Sequence, residues 1–490
     1  MVNKNLTAYG FSQNAKRRIA FCNDAADNRP GDNRKIPRSP AITPVFGLGT
    51  ICGWGVPDTA GGSELQQRLV QWLGNDRTAL LGGLAAYGSA ELAVRLVRLV
   101  TVVIIARRLA PEIVGVAALS LSLFELIRVF ANIGIGQQIV AARADALDAI
   151  CNTAHRLFWL WCGGVAAVQL AVAAVLALVF DQWLAGQMLA ILAAVYLLMP
   201  GGLVQCYLLM RDGQMGVTAR TSAIQTIADH VLTAALLLVW PSAWSIILPK
   251  LLTAPLWLIL VRRARVWHRR PEAGFAPWRT LMHFGLSVLA TDFATAMRTQ
   301  ADKLIVGATL GLSALGTYFF AFNAGIGIVS SLLTAFGTVL FPTLCKAPAG
   351  LARTQRFRGA LVLGICLFVP LIAAQCLLAP AYVPLVFGAR WSHAAPLIAI
   401  LVLAAVPMFL ATASTAWLRA EGTPGIDAFA SFAACIAALA GLAIGTQYGL
   451  TAAAVLWVAG MAIVCIPFAG TVIRRAVKPD AILPNEKALA

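Results

Sequence analysis

From residue 79 almost to its end the chain is a succession of apolar runs, each long enough to cross a bilayer. They cover 79–106, 113–139, 156–180, 184–207, 218–240, 243–261, 280–308, 314–342, 359–380, 392–418, 426–446 and 450–473. About 20 apolar residues span the hydrocarbon layer as a helix. In lipid only a helix or a closed barrel satisfies its own backbone polar groups. The runs therefore predict an all-α integral membrane protein of about twelve transmembrane helices. Composition agrees: 12% of the residues are charged and mean hydropathy is +0.78, against about 25% charged in a typical soluble domain. Such a surface has to face lipid.

The net charge of +17 does not point to nucleic acid, because the Lys and Arg residues sit in short loops and tails between the runs. Counted over alternate loops and the C-terminal tail, one set holds nineteen and the other only Arg107, Arg108 and Arg390. By the positive-inside bias this predicts a multi-pass chain with both termini cytoplasmic. The ten cysteines form no C-x-x-C pair, so neither a zinc site nor a disulfide framework is indicated. No GxxxxGK[ST], H-E-x-x-H or G-x-S-x-G motif occurs; neither ATP hydrolysis nor any cofactor is expected. Residues 1–78 are polar, Pro-containing and mixed in charge, which predicts a disordered tail without a signal peptide. Within them ELQQRLVQWL (64–73) suits an amphipathic helix on the membrane surface.

The longest basic loop, RRARVWHRRPEAGFAPWR (262–279), divides the runs into two sets of six. We expect an N-lobe at 79–261, a cytoplasmic linker at 262–279, a C-lobe at 280–475 and a C-terminal tail at 476–490. ARRLAPEIVGVAALS (106–120) aligns with GATLGLSALGTYFFA (307–321): Leu109 falls on Leu310 and Gly115 on Gly316. Each stretch joins the first and second helices of its half. Two parallel six-helix repeats make a transporter architecture, with a central cavity between pseudo-symmetric lobes.

Charges within the runs point to the same cavity. The first run carries Glu91, Arg95 and Arg98 on one face, and the second carries Glu125, Arg128 and Asn132. The fifth has Asp229 and His230, and the sixth has Lys250. The seventh has Thr291, Thr295, Arg298 and Asp302 in one stripe, with Asp292 and Lys303 beside it. Each charge costs at least ~3 kcal/mol at mid-bilayer on insertion scales. A single pair, such as Glu91 with Arg95 or Asp302 with Arg298, serves equally well as glue between helices. The whole collection favours a hydrated, cationic cavity. Its candidate substrate-binding residues are Arg95, Arg98, Arg128, Lys250, Arg298 and Lys303, since guanidinium forks suit phosphate and carboxylate. Coupling-ion candidates are Glu91, Glu125, Asp229, Asp292 and Asp302. Asp229 leads them because no Arg neighbours it in sequence; the alternative is a hydrogen-bonded structural carboxylate.

Several stretches carry a family resemblance. RLVTVVIIARRLAPEIVGVAALSLSLFELIRVFANIGIGQQIV (98–140) resembles the opening helix pair of bacterial polysaccharide transporters, the Wzx-type lipid-linked oligosaccharide flippases. RTQADKLIVGATLGLSALGTYFFAFN (298–323) is similar to their seventh-to-eighth helix junction, and VLFPTL (339–344) and PLVFGARWSHAAPLIAILVLAA (384–405) match the family's style. The resemblance covers about residues 79–475, and the long N-terminal tail departs from it. It places the chain in the multidrug/oligosaccharidyl-lipid/polysaccharide flippase superfamily. It implies a carrier, not an enzyme, that moves an undecaprenyl-pyrophosphate-linked oligosaccharide across the bacterial inner membrane for exopolysaccharide or O-antigen. Cavity arginines would meet pyrophosphate or acidic sugar. Membrane lipid, a polysaccharide polymerase and export proteins are the partners so implied; nucleic acid is not. A drug/cation antiporter of the same fold is the alternative, though its cavity should be acidic and aromatic. A membrane polymerase or ligase is a further one, disfavoured because the outer loops are too short to hold chemistry.

Overall fold

Over its described residues each apolar run coincides with a helix in the computed structural model, which describes residues 94–131, 134–345, 347–348 and 350–477. The N-terminal tail with its 64–73 segment, Glu91, Asn132 and residues 478–490 lie outside the described residues. Among those described there is no strand. In chain order the helices are α1 (residues 94–108), α2 (Pro111–Ala131, resuming as Ile135–Ala141), α3 (Leu147–Leu178), α4 (Trp183–Leu192, Val195–Leu198 and Pro200–Arg211), α5 (Met215–Val239) and α6 (Trp244–Ala264). The run Trp278–Ala324 supplies α7 (residues 278–310) and the start of α8, which continues as Ile326–Cys345. Then follow α9 (Leu351–Tyr382), α10 (Ala395–Leu403 and Ala405–Ala420), α11 (Pro424–Gly445) and α12 (Leu450–Val477).

Local chemistry sets these boundaries. Pro111, Pro200 and Pro424 stand at first helical positions, where the missing N–H has no intrahelical partner to lose. Gly311, at φ 82° and ψ 179°, turns the chain between α7 and α8 in a conformation that side chains other than hydrogen rarely enter. Nine described helices are long and apolar enough to span a membrane, or ten if α4, bent by 54° before Pro200, crosses as one. The expected twelve is reduced where α1 is described only from residue 94, and where the break at Gly325 leaves Leu332–Cys345 as a shorter apolar helix. Val239, Leu377, Phe429 and Ile463 stand exposed around the bundle, as a lipid-facing belt requires.

The two sets of six helices meet where α2 crosses α8. Gly115 approaches the Leu312 carbonyl, and Gly316 approaches the Pro111 carbonyl, so closely that a Cβ at either would collide with backbone. Small residues at such crossings let helix backbones touch in a membrane. The Ser313 hydroxyl donates to Glu112 Oε1 at 2.8 Å, across a sequence offset of 201. That is also the spacing of Leu109 from Leu310 and of Gly115 from Gly316, so α2 and α8 pack on each other through equivalent positions.

Two further contacts close the same end of the bundle. Trp391, fully buried, donates through Nε1 to the Ala106 carbonyl at 2.7 Å. Arg107 donates from Nε to the Val386 carbonyl and from Nη2 to that of Leu385, at 2.8 and 2.7 Å. This is the end with the arginine-poor loops. At the opposite, basic end, residues 265–277 do not hang free. Asn152 of α3 donates to the carbonyls of Arg270 and Gly274, Thr153 donates to that of Ala276, and Arg270 pairs with Asp148 at 2.8 Å.

Candidate functional site

Between the two sets of helices lies a cavity of about 2500 Å³. Its lining reaches Gln137, Met210, Pro342 and Arg419 toward the basic end. In the other direction it stops at Ile105 on α1, Leu121 on α2, Ile246 on α6 and Phe319 on α8, short of the contacts that close the arginine-poor end. The cavity thus lies inside the contacts that close the arginine-poor end.

The charged lining comes from seven helices. α1 contributes Arg98; α2 contributes Glu125 and Arg128; α5 contributes Asp229 and His230; α6 contributes Lys250. α7 brings Asp302 and Lys303, α10 brings Arg419 and α11 brings Asp427. Four of the five bases are matched by acids. Arg128 Nη2 lies 2.7 Å from Glu125 Oε2, one turn away on the same helix face. Lys250 Nζ reaches Asp229 Oδ2 at 3.4 Å from the neighbouring helix. Lys303 Nζ lies 3.2 Å from Asp302 Oδ1, and Arg419 Nη2 lies 3.2 Å from Asp427 Oδ2.

Arg98 is different. Its guanidinium is exposed toward the cavity, and its Nη2 donates to Oδ1 of Asn323 on α8, a neutral acceptor. Among the described residues no carboxylate stands within ion-pair distance of it. A phosphate or carboxylate arriving in the cavity therefore meets a guanidinium whose charge is not already neutralised. For such a fork a bidentate anion is the strongest partner.

The sequence-derived candidates fall into distinct places. Arg98, Arg128, Lys250, Lys303, Glu125, Asp229 and Asp302 all reach the cavity wall. Arg95 does not; it lies half-buried on α1, outside the lining. The side chains of Arg298 and Asp292 lie outside the described residues, as does Glu91. Lys303 is a clamp more than an open cation. It is 5% exposed and Asp302 2%. Its ammonium also donates to the Thr299 carbonyl at 2.6 Å and sits 4.4 Å from the centre of the Phe322 ring. The buried Tyr318 hydroxyl donates to Asp302 Oδ2 at 3.0 Å. The ion pair described for Asp302 is with its neighbour Lys303, whose long stem folds back over its own helix; the expected pairing with Arg298 falls on a side chain outside the described residues.

Asp229 has a cationic partner after all, supplied by Lys250 from another helix. Its other oxygen, Oδ1, is buried and makes no hydrogen bond. Sequence reasoning missed Asn323 and the rim cluster of Arg419, Asp427 and Thr415, in which the Thr415 hydroxyl donates to Asp427 Oδ1. In the sequence Arg419 reads as one of the nineteen loop charges. The signal available was its partner at i+8, across the turn between α10 and α11. Among the described residues no cluster of three or more His, Cys, Asp or Glu suits a metal ion.

Comparison with known proteins agrees with this architecture. The chain is 25% identical over 381 residues to the succinoglycan biosynthesis transport protein ExoT of Rhizobium meliloti (strain 1021), covering 74% of this chain and 73% of that one. An uncharacterized membrane protein in the cps region of Klebsiella pneumoniae is 21% identical over 330 residues, 65% of this chain and 66% of its own. Among solved structures, a multidrug resistance MATE family transporter of the MOP superfamily, inward-facing, superposes with a TM-score of 0.61 at 13% identity, over 78% of this chain and 94% of that one. Lipid II flippase MurJ, in an inward closed conformation, gives 0.59 at 12% identity, over 80% and 90%. These two establish a shared multi-span helical fold. The profile of the polysaccharide biosynthesis protein family matches residues 104–396, well over half of the chain, which therefore belongs to that family.

Proposed function

We propose that the chain is a flippase that carries an undecaprenyl-pyrophosphate-linked oligosaccharide repeat unit across the bacterial inner membrane, by alternating access, for exopolysaccharide or O-antigen assembly. The observation that carries the reading is Arg98: an exposed guanidinium with no carboxylate partner among the described residues, in a cavity that lies inside the contacts closing the arginine-poor end. At about 2500 Å³ the cavity exceeds the ~300–1,000 Å³ of ordinary small-molecule pockets and has room for a pyrophosphate with several sugars. In this reading the anionic head meets Arg98, helped by the partly exposed Arg128 and Lys250, while the lipid tail stays in the bilayer. The halves 79–261 and 280–475 rock about the α2–α8 crossing, and Asp229 is the candidate residue for a coupling ion. The basic loops and both termini face the cytoplasm. The name of the Rhizobium relative, a succinoglycan transport protein, supports an exopolysaccharide cargo. A cationic drug would prefer uncompensated acids, whereas this lining holds five bases and four acids.

The test is deletion of the gene followed by mass spectrometry of lipid extracts. The expected result is accumulation of one lipid-pyrophosphate oligosaccharide, cleared by the native gene but not by Arg98→Ala. An unchanged lipid pool in the deletion strain overturns the reading.

A further inference from the structure

Among the described residues, the side-chain hydrogen bonds between the first six helices and the last six are few. Three groups of them lie at the sealed end: Ser313 to Glu112, Trp391 to the Ala106 carbonyl, and Arg107 to the Leu385 and Val386 carbonyls. The remaining one, Arg98 to Asn323, lies in the cavity wall. Both its members are cavity-facing, so it is the cross-half bond that cargo can reach.

Its construction suits competition. Asn323 is held in place by its own helix, its Nδ2 donating to the Phe319 carbonyl at 2.8 Å, which aims Oδ1 at Arg98. The amide is a neutral acceptor that takes one N–H of the guanidinium, whereas a phosphate brings the opposite charge and accepts two N–H groups of the fork. The same helix also carries the seal: Ala106 and Arg107 lie two turns beyond Arg98 on α1. One rigid element therefore bears both the cavity bond and two of the sealing contacts, which is the contiguous physical link that coupling between two places requires.

We propose that the Arg98–Asn323 hydrogen bond is a latch. A phosphate-bearing anion in the cavity takes the guanidinium from Asn323, releases α1 from α8, and so loosens the seal at the arginine-poor end. Loading of the cavity and opening of the far end are then one event. The proposal rests on Arg98 being the anion site, and the experiment separates the two.

The full-length protein is placed in lipid nanodiscs with Glu112→Cys and Ser313→Cys as a background pair. Disulfide yield between positions 112 and 313, read by mass spectrometry of the linked peptides, reports the seal. Affinity for inorganic pyrophosphate is measured in parallel. With Asn323 present, saturating pyrophosphate lowers the yield several-fold. Asn323→Ala gives a low yield without pyrophosphate, no further response, and an affinity equal to or tighter than that of the background protein. Asn323→Asp replaces the neutral acceptor by a carboxylate, so the yield stays high and pyrophosphate binding weakens about tenfold or more. A yield in Asn323→Ala that still falls with pyrophosphate as in the background protein overturns the latch, as does a background yield that ignores bound pyrophosphate. Undiminished pyrophosphate binding by Arg98→Ala overturns the anion site itself, whatever the seal does.

Discussion

At the scale of single residues, the charges in the bundle divide by exposure. Asp302 and Lys303 are buried together, with Tyr318, the Thr299 carbonyl and the Phe322 ring completing their shell. Removing one member of such a pair strands the other charge, at a cost of about 3–5 kcal/mol. Asp302→Ala is therefore expected to cut membrane abundance sharply, and adding Lys303→Met to restore it. If the double variant stays as scarce as the single one, the pair is not a clamp. Arg98 and Arg128 face open space, so Arg98→Ala should leave abundance near normal while abolishing polymer export. Arg98→Lys should keep part of the export, since it retains the charge but loses the fork. Export and abundance measured side by side distinguish the two classes. Arg98 and Arg128 were legible in the sequence because any arginine in an apolar run is conspicuous. Asn323 was not, because it carries no charge to set it beside the arginines and its partner is 225 residues away.

At the scale of elements, the α2–α8 crossing and the α7–α8 turn depend on two kinds of glycine. Gly115 and Gly316 permit backbone contact; Gly311 permits a left-handed turn. Gly115→Val should hold α2 off α8 without disturbing either helix, and so lower disulfide yield between cysteines at 112 and 313. A yield equal to that of the Gly115 protein would show the crossing to be looser than described. Gly311→Ala should instead lower thermal stability, by roughly 1–3 kcal/mol for a side chain forced into that conformation, measured as a drop in the unfolding midpoint. The offset of 201 was readable from Leu109/Leu310 and Gly115/Gly316 alone. That the two glycines press on each other's helix was not, because sequence equivalence says nothing of contact.

At the scale of the whole molecule, a distribution of nineteen bases against three across alternate loops should be reflected in topology. Reporter fusions in the 265–277 segment and near residue 421 should be active in the cytoplasm, and fusions near residues 311 and 388 in the periplasm. A periplasmic signal from the 265–277 fusion would invert the bundle and place the cavity's reach on the outer side. The amino-acid sequence by itself determined that the chain is an all-helical, multi-span membrane protein, that two stretches match at an offset of 201, and that charge gathers on particular runs. These follow from hydropathy and spacing, which are properties of neighbours in the chain. Only the tertiary structure decided that the cavity is sealed at the arginine-poor end, that Arg98 faces it while Arg95 does not, and that Asp229 answers to Lys250 and Asp427 to Arg419. Helix rotation and ion-pair choice are set by packing between segments distant in the chain, and no local pattern encodes which face a neighbouring helix will cover.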